Sequence, residues 1–445
     1  MLDKGVARAE NRAGLGTQRC RRQHPGDAFV RRVERFAACP TVARGSANRC
    51  YSIPVKRIRV GVIFGGRSSE HDVSVRSASS VLASLNPARY SAAAVYIDPD
   101  GHWILPSRLP EAATDAQARE YVKDQARSFR HDSEVVMPAR PGDETLLVFS
   151  RPADVSGDEP DHGSVTSLVK HLRLDVVIPV LHGPYGEDGT IQGLLELANL
   201  PYVGAGVLAS AVGMDKAVMK TLFAARGLPV AAFAVVLASE WARDRAGVLA
   251  RLTKAFALPV FVKPANLGSS VGISKAKDAA GLEAALDLAA QFDRKIVVEA
   301  AVPNVREIEV AVIGNERPEA SVPGEIVPAA DCEFYDYDAK YKKESGLFIP
   351  ARLTPAQAAE ARRLAVEAFT AIDGAGMGRV DFLFDGVAGT WYVSEINTIP
   401  GFTTISMYPK LWAATGLEYA ALLDRLIALA LERHAAKQRL RTSQP

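Results

Sequence analysis

From residue 57 onward, short apolar runs alternate with segments of helical period. Ile58–Phe64 (IRVGVIF) is rich in β-branched residues and runs into Gly65-Gly66, which predicts a buried strand feeding a turn. Asp72–Leu85 carries Val73, Val75, Ala78, Val81, Leu82 and Leu85 at helical spacing, and Ala92–Ile97 reads as a second strand. That order predicts a βαβ unit with parallel strands and a right-handed crossover. Residues 99–170 hold several prolines and a polar stretch at Ser156–Gly163, and they read as a less regular elaboration of this first unit. Leu174–Val180 (LDVVIPV) is a third strand. A polar, glycine-rich loop at His182–Gly189 and a helix over Thr190–Asn199 follow it.

Gly204 and Gly206 mark a boundary. Beyond it the pattern predicts a helix over Ala217–Ala225 and strands at Ala231–Val236, Val260–Lys263 and Ile296–Glu299, with a charged helix between the first two. From Glu307 the pattern becomes antiparallel: Glu307–Ile313, the weakly signalled Glu319–Val322, Arg379–Phe384 and Trp391–Asn397. A helix over Pro355–Ile372 interrupts these strands. No internal repeat of the roughly 20–50-residue period typical of solenoids is present.

Composition adds two points. The 445 residues suffice for two or three domains, and 48% apolar with 23% charged residues is ordinary for a globular protein. The net charge of +2 is unevenly spread, because residues 1–54 hold eleven Lys/Arg against four Asp/Glu and the remainder is mildly acidic. This head also contains Cys20, Cys39 and Cys50, is rich in Arg, Gly and Pro, and sustains no apolar period. It reads as a disordered basic tail, a transit-like segment or translated upstream sequence. Asp3, Glu10, Asp27 and Glu34 weigh against the transit reading. Cys332 alone remains in the body, so no disulfide forms within it and a reducing compartment fits. No apolar run approaches the ~18–20 residues needed to span a bilayer.

The densest chemistry lies near the C-terminal end. Arg379, Asp381 and Leu383 share one face of a strand by period two, as do Glu395 and Asn397 on the next. With Asp385–Thr390 returning the chain, Asp381, Glu395 and Asn397 converge as hard oxygen donors suited to Mg²⁺ bound with substrate phosphates. A solvated polar face is the alternative, but the flanking VDFLF and WYVSEIN are apolar, and buried carboxylates need partners. Lys263 leaves an apolar strand and precedes a Gly/Ser loop, Pro264–Gly272, whose N–H groups and hydroxyls suit phosphate oxygens. The lysine precedes the glycines, so this is not a P-loop, and a flexible surface turn looks similar.

Weaker signals surround these. Lys216 opens a helix after a glycine-rich stretch and is a second phosphate candidate, although a lone lysine there is usually a surface residue. Glu299 and Glu307 border strands, where a carboxylate accepts from ribose hydroxyls or is simply strand-edge charge. Gly65–His71 sits between a strand's C-terminal end and a helix, where open α/β sheets bind ligands. Glu70 there suits an ammonium group, or serves only as a helix-start carboxylate. His182, by itself, is more simply structural. Asp331–Ile349, with Phe334, Tyr335, Tyr337 and Tyr341, is a polar, aromatic stretch of lid-like length.

Together these motifs resemble the D-alanine–D-alanine ligase family of the ATP-grasp superfamily. The resemblance rests on GGRSSEHDVS (65–74), HGPYGEDGTIQG (182–193), YVGAGVLASAVGMDK (202–216), VKPANLGSSVG (262–272), EIEVAV (307–312), FYDYDAKY (334–341), GRVDF (378–382) and EINTIPGFT (395–403), and covers about 57–430. It implies an α/β and α+β multidomain fold. An N-terminal βαβ (pre-ATP-grasp) domain over 56–204 precedes a two-part ATP-grasp fold, a small central domain over 205–299 and a C-terminal domain over 300–430. A basic extension over 1–55 and a polar tail over 431–445 flank them.

By motif position the resemblance makes Lys216, Lys263, Ser270, Glu299 and Glu307 nucleotide ligands, and Asp381, Glu395 and Asn397 the site of two Mg²⁺ ions, with Mn²⁺ as a substitute. Glu70, Ser269 and Tyr341 match a hydrogen-bonded set that orders the first substrate, and Arg379 with the Gly401 N–H matches the oxyanion stabilisers. Ser406 matches the contact to the second substrate's carboxylate, with His182 and Lys340 in support. The implied reaction consumes ATP to join two D-alanines through a D-alanyl phosphate, for peptidoglycan precursor synthesis. A D-lactate-using ligase is the alternative, which Tyr341 in the FYDYDAKY motif disfavours. Two wider rivals are another ATP-grasp ligase, against which GGRSSEHDVS and FYDYDAKY weigh, and a regulator that has lost catalysis, although every matched ligand is present. The family further implies a cytoplasmic homodimer with small-molecule substrates, no nucleic acid and no membrane.

Overall fold

A computed structural model of the chain describes residues 56–128, 133–142, 145–150, 167–327 and 346–441. The basic head, the Ser156–Gly163 stretch, Lys340, Tyr341 and the rest of the FYDYDAKY motif lie outside them.

The first sheet contains β1 (Ile58–Gly65), then α1 (His71–Ser84), β2 (Tyr90–Ile97), β3 (Trp103–Leu105), α2 (Asp115–Ser128), β4 (Ser133–Val136), β5 (Thr145–Ser150), β6 (Ser167–Arg173) and β7 (Val176–Val180), with strand order β6-β5-β4-β3-β2-β1-β7. β1 pairs in parallel with β2 and with β7, as the βαβ pattern predicts. The 99–170 region is more regular than expected. It supplies β3 to β6, which extend the same sheet in antiparallel sense. β3 and β4 span only three and four residues, too short for an alternating pattern to show.

Val75, Ala78 and Val81 of α1 pack on Val60, Val62 and Phe64 of β1. Ser74 ties the helix start to both flanking strand ends: its hydroxyl donates to Val180 O and accepts from Gly65 N at 2.7 Å. Gly65 has φ +92, and a Cβ there would lie 2.1 Å from Ile97 O, so only glycine permits this turn.

α3 (Thr190–Leu197), α4 (Val207–Met214) and α5 (Lys216–Ala225) lead to a second sheet. β8 (Phe233–Leu237), α6 (Ala238–Arg243), α7 (Arg245–Ala255), β9 (Val260–Pro264), β10 (Ser274–Ala276), α8 (Ala279–Ala289) and β11 (Lys295–Ala300) form it, in the order β10-β9-β11-β8. Every pairing is antiparallel, so antiparallel pairing, already present at β3 to β6, also runs through this sheet and does not wait for Glu307. Period two divides its faces. Val262, Ile296 and Val298 pack under the helices with Trp241, Leu252 and Leu286, leaving Lys263, Val297 and Glu299 on the opposite face.

The third sheet runs β15-β14-β12-β16-β17, with β13 on β12. Its strands are β12 (Val305–Gly314), β13 (Glu319–Ala320), β14 (Gly324–Val327), β15 (Gly346–Phe348), β16 (Gly376–Asp385) and β17 (Thr390–Asn397). α9 (Pro355–Ala371) starts at a capping box, Thr354 with Gln357, and buries Leu364, Ala365 and Ala368 against Ile308, Val310, Val380 and Phe382. Truncating a fully buried ring such as Phe382 to alanine costs about 3–5 kcal/mol. α10 (Met407–Ala414) and α11 (Tyr419–Gln438) complete the fold. α11 continues past residue 430: Arg433 donates to the carbonyls of Gly204 and Tyr202, which docks the helix beside the first sheet.

Candidate active site

Three strands of the third sheet place three acids in one row. Glu309 on β12 stands opposite Asp381 on β16, and Asp381 stands opposite Glu395 on β17. A β-bulge makes this possible. Asp381 pairs with Glu395 but Phe382 with Val393, so Ser394 is an extra residue. Without it, Glu395 would share the core face of Trp391 and Val393; with it, Ile396 turns into the core and Glu395 and Asn397 turn out. Asn397 Nδ2 donates to Asp381 Oδ2 at 2.9 Å.

Like charges opposite one another are destabilising, and two cations answer them. Arg379 donates to both oxygens of Asp381, at 2.7 and 2.6 Å, and its Nε lies 3.0 Å from Glu309 Oε2. Burial lowers the arginine's pKa, but Asp381 and Glu309 outweigh it and hold the group charged. Lys216 Nζ approaches Glu395 Oε2 at 3.5 Å and donates to Leu267 O at 2.7 Å. This lysine at the start of α5 therefore touches both the acid row and the Gly/Ser loop.

The second sheet contributes a buried charge cluster. Glu299, 1% exposed, accepts from Lys263 at 2.8 Å and from Lys220 at 2.7 Å. Burial alone would raise the Glu299 pKa, but the two lysines bring it down to about 2. Burial likewise disfavours the Lys263 charge, and Glu299, Glu395 and Glu307 more than restore it. Glu307, two residues before Glu309, shares its face of β12.

The Gly/Ser loop is folded through two consecutive left-handed residues, Ser269 at φ +48 and Ser270 at φ +58. A left-handed residue other than glycine costs about 1–2 kcal/mol, so the surrounding contacts impose this shape. One contact is visible: the Ser269 hydroxyl donates to Glu70, 199 residues away in the turn after β1.

Behind Glu70 lie His182 and Glu187. Both ring nitrogens of His182 have protein partners, Ser77 Oγ at 3.2 Å and Ile399 O at 3.1 Å, and burial lowers its pKa. Glu187 accepts from Gly183 N at 2.8 Å and from Ile399 N at 3.1 Å. Burial, with the charge of Glu70 added, pushes its pKa up to about 8. Gly401 follows, where a Cβ would meet Ser406 Oγ at 2.8 Å. Ser406 Oγ accepts from Thr403 N at 3.1 Å. Lys216, Ser269, Ser270, Glu395 and Asn397 line one pocket, with Glu187 at its wall.

Among the described residues the structure thus brings Glu70 to Ser269, Lys263 to Glu299, and Arg379 to Asp381 and Asn397, with Lys216 close to Glu395. Lys340 and Tyr341 lie outside the described residues. Sequence reasoning missed Lys220, Glu187, Glu309 and Ser77. Lys220 had a signal: it is a charge four residues after Lys216 in a helix that buries Met219 and Phe223. Glu309 had one too, standing two residues after Glu307 in a strand.

Two family models match the chain. Residues 59–205 match the N-terminal part of D-ala D-ala ligases and residues 222–428 their C-terminal part. A D-alanine–D-alanine ligase of Heliobacterium modesticaldum is 50% identical over 381 residues, 85% of this chain and 96% of the relative. One from Streptomyces avermitilis is 46% identical over 387 residues, covering 85% and 96%. The solved D-alanine–D-alanine ligase of Coxiella burnetii superposes with a TM-score of 0.69 at 33% identity, over 86% of this chain and 97% of that one. The VanG D-Ala:D-Ser ligase of Enterococcus faecalis superposes at 0.70 with 29% identity, over 84% and 100%. With the two family models together covering most of its length and 50% identity over the 381 residues aligned to a relative covered to 96%, the chain belongs to the D-alanine–D-alanine ligase family.

Proposed function

We propose that the protein joins two molecules of D-alanine at the expense of ATP, and that the residues above do the work. The observation that carries this reading is the meeting of phosphate-binding and acidic groups at Lys216, which touches the Gly/Ser loop and Glu395 together. A carboxylate is a poor electrophile, being anionic and without a leaving group. Transfer of the γ-phosphoryl group forms a new O–P bond, breaks the β–γ bridge and gives ADP and D-alanyl phosphate. The second amine attacks the acyl carbon, loses a proton and expels inorganic phosphate.

Lys216, Lys263 and Ser270 would hold the ATP phosphates and Glu307 the ribose side, whereas Glu299, matched by motif to the same role, is sealed between Lys220 and Lys263 and would act on the nucleotide through Lys263. Glu70 would orient the first D-alanine through its ammonium, with Ser269 fixing the carboxylate. Arg379 and the Gly401 N–H would stabilise the tetrahedral oxyanion, and Ser406 would take the second carboxylate. Asp381, Glu395 and Asn397 fit two Mg²⁺ or Mn²⁺ ions: all three offer oxygen, and the Asn397 amide donates its N–H to Asp381, leaving its own oxygen for a cation. Bound there, the metals would offset charge on the phosphates. Among the described residues no helix is long and apolar enough to cross a membrane. ATP and D-alanine as substrates support a cytoplasmic activity, and a homodimer is the assembly we expect.

The test is ATP-dependent phosphate release with Mg²⁺, with products identified by mass, on D-alanine alone and with D-lactate or D-serine added. D-Alanyl-D-alanine from D-alanine alone, lost in Glu395→Gln, is the expected result. A mixed product made in preference would move the assignment to a depsipeptide or D-serine ligase. No turnover with any of them would overturn it.

A further inference from the structure

The loop after β17 is held by a closed circuit of hydrogen bonds that the reaction scheme above does not use. Ile399 is gripped at both ends of its backbone. Its N–H donates to Glu187 Oε1 at 3.1 Å, and its carbonyl faces His182 Nδ1 at 3.1 Å. A carbonyl only accepts, so Nδ1 carries the proton and Nε2 is an acceptor. Ser77 Oγ lies 3.2 Å from that Nε2 and accepts from Phe402 N, also at 3.2 Å. The proton count closes: Phe402 N–H donates to Ser77, Ser77 O–H to His182, and His182 N–H to Ile399. Glu187 completes the circuit, receiving both the Ile399 N–H and the Gly183 N–H at 2.8 Å. Tyr419 adds a bond from outside, its hydroxyl 2.5 Å from Phe402 O.

What lies between the gripped residues is Pro400, which has no N–H, and Gly401, whose N–H has no protein partner among the described residues. Glycine has the widest backbone freedom of any residue, and an unheld Gly401 N–H would sweep a range of directions. We infer that Ser77, His182 and Glu187 are positioning residues whose circuit aims the Gly401 N–H into the site. The inference rests on the oxyanion role proposed for Gly401. Ser77 is fully buried on α1, so it reaches no substrate and acts only through this circuit.

Ser77→Ala deletes the acceptor for Phe402 and the donor to His182, and Ser77→Thr keeps both. Hydrogen exchange on the full chain without substrate is the first measurement. The Phe402 amide in Ser77→Ala should lose about tenfold protection, matching one lost hydrogen bond, and Ser77→Thr should restore it. Unchanged protection overturns the circuit whatever the enzyme ligates. The second measurement separates the two chemical steps. Dipeptide kcat in Ser77→Ala should fall about tenfold or more, part of the ~10²–10³-fold cost of losing an oxyanion donor. D-Alanine-dependent positional isotope exchange in ATP, which reports acyl phosphate formation, should stay within about threefold, as should KM for ATP. If kcat and isotope exchange fall together, or if kcat holds while protection is lost, the positioning role is wrong. If wild-type protein makes no dipeptide at all, the proposed function fails and hydrogen exchange still decides whether the circuit exists.

Discussion

Lys220 Nζ lies 2.7 Å from Glu299 Oε1, and both side chains are essentially sealed from solvent. Lys263 takes the carboxylate's other oxygen at 2.8 Å, so one buried acid is shared by two lysines from different elements. Lys263 points toward the site and Lys220 backs it from α5. Replacing Lys220 by Met leaves Glu299 with one cation in a dry setting. Breaking a buried pair from one side costs about 3 kcal/mol, the lower part of the usual range because Lys263 remains. Urea unfolding should show that loss, and Lys220→Met combined with Glu299→Leu should recover part of it. A Lys220→Met variant as stable as the parent would refute the account. Acid offers a second check. The Glu299 pKa is depressed to about 2, so its contribution is complete above about pH 4.5 and is lost as pH falls toward 2.

Arg379 has two carboxylate partners, Asp381 and Glu309, and Asp381 also receives Asn397. A metal on Asp381 would compete for the same oxygens, whereas Glu309 would remain to hold the guanidinium. In Glu309→Gln the arginine keeps its charge but loses the attraction of a buried carboxylate 3.0 Å from its Nε, only part of which reaches the transition state. The expected result is a kcat about tenfold lower, with KM for ATP within about threefold. A rise in KM for ATP with unchanged kcat would instead place Glu309 among the nucleotide contacts.

How far these groups were legible depends on how each announces itself. Arg379 and Asp381 stand at strand positions in apolar surroundings, so the polar residue is the anomaly and the period gives its face. The bulge at Ser394 is invisible in sequence, because nothing in Trp391–Asn397 marks where the alternation slips. Without it, Glu395 and Trp391 would be read onto the same face. β3 and β4 were illegible for a related reason, since three or four residues do not establish a period. Glu187 and Ser77 were missed because their meaning is relational. A carboxylate in a polar loop and a serine in a helix look ordinary until Ile399 and Phe402 arrive beside them from more than 200 residues away.

The Ser269 hydroxyl donates to Glu70, joining the turn after β1 to the Gly/Ser loop. Ser269→Ala leaves that carboxylate free to rotate, and the left-handed turn at Ser269 and Ser270 loses a tether. If Glu70 orients the first D-alanine, the apparent KM for D-alanine should rise about tenfold, worth about 1.4 kcal/mol, while KM for ATP moves less than threefold. Initial-rate kinetics with each substrate varied in turn separates the two. Equal rises in both would mean that the loop, rather than Glu70, had lost its place.

The pH dependence of stability offers a separate view of Glu187. Burial is the main cause of its raised pKa, about 8, and the charge of Glu70 adds to it; the N–H groups of Gly183 and Ile399, and the charge of Arg379, oppose it. His182, also facing this cluster, has its pKa lowered by burial and stays neutral at pH 7. A carboxyl whose folded pKa exceeds its unfolded value stabilises the fold most when protonated in both states. Its contribution is complete below about pH 4.5 and drains away as pH rises through about 8. Within that window the slope reaches about 1.4 kcal/mol per pH unit in the direction of lower stability at higher pH. Glu187→Gln removes the titration and keeps the size of the side chain. The variant's stability, followed by urea unfolding from pH 5 to 9, should therefore fall less steeply than the parent's, and the two curves should converge or cross toward high pH. Parallel curves would show that Glu187 is ionised throughout, with the two peptide N–H groups outweighing burial.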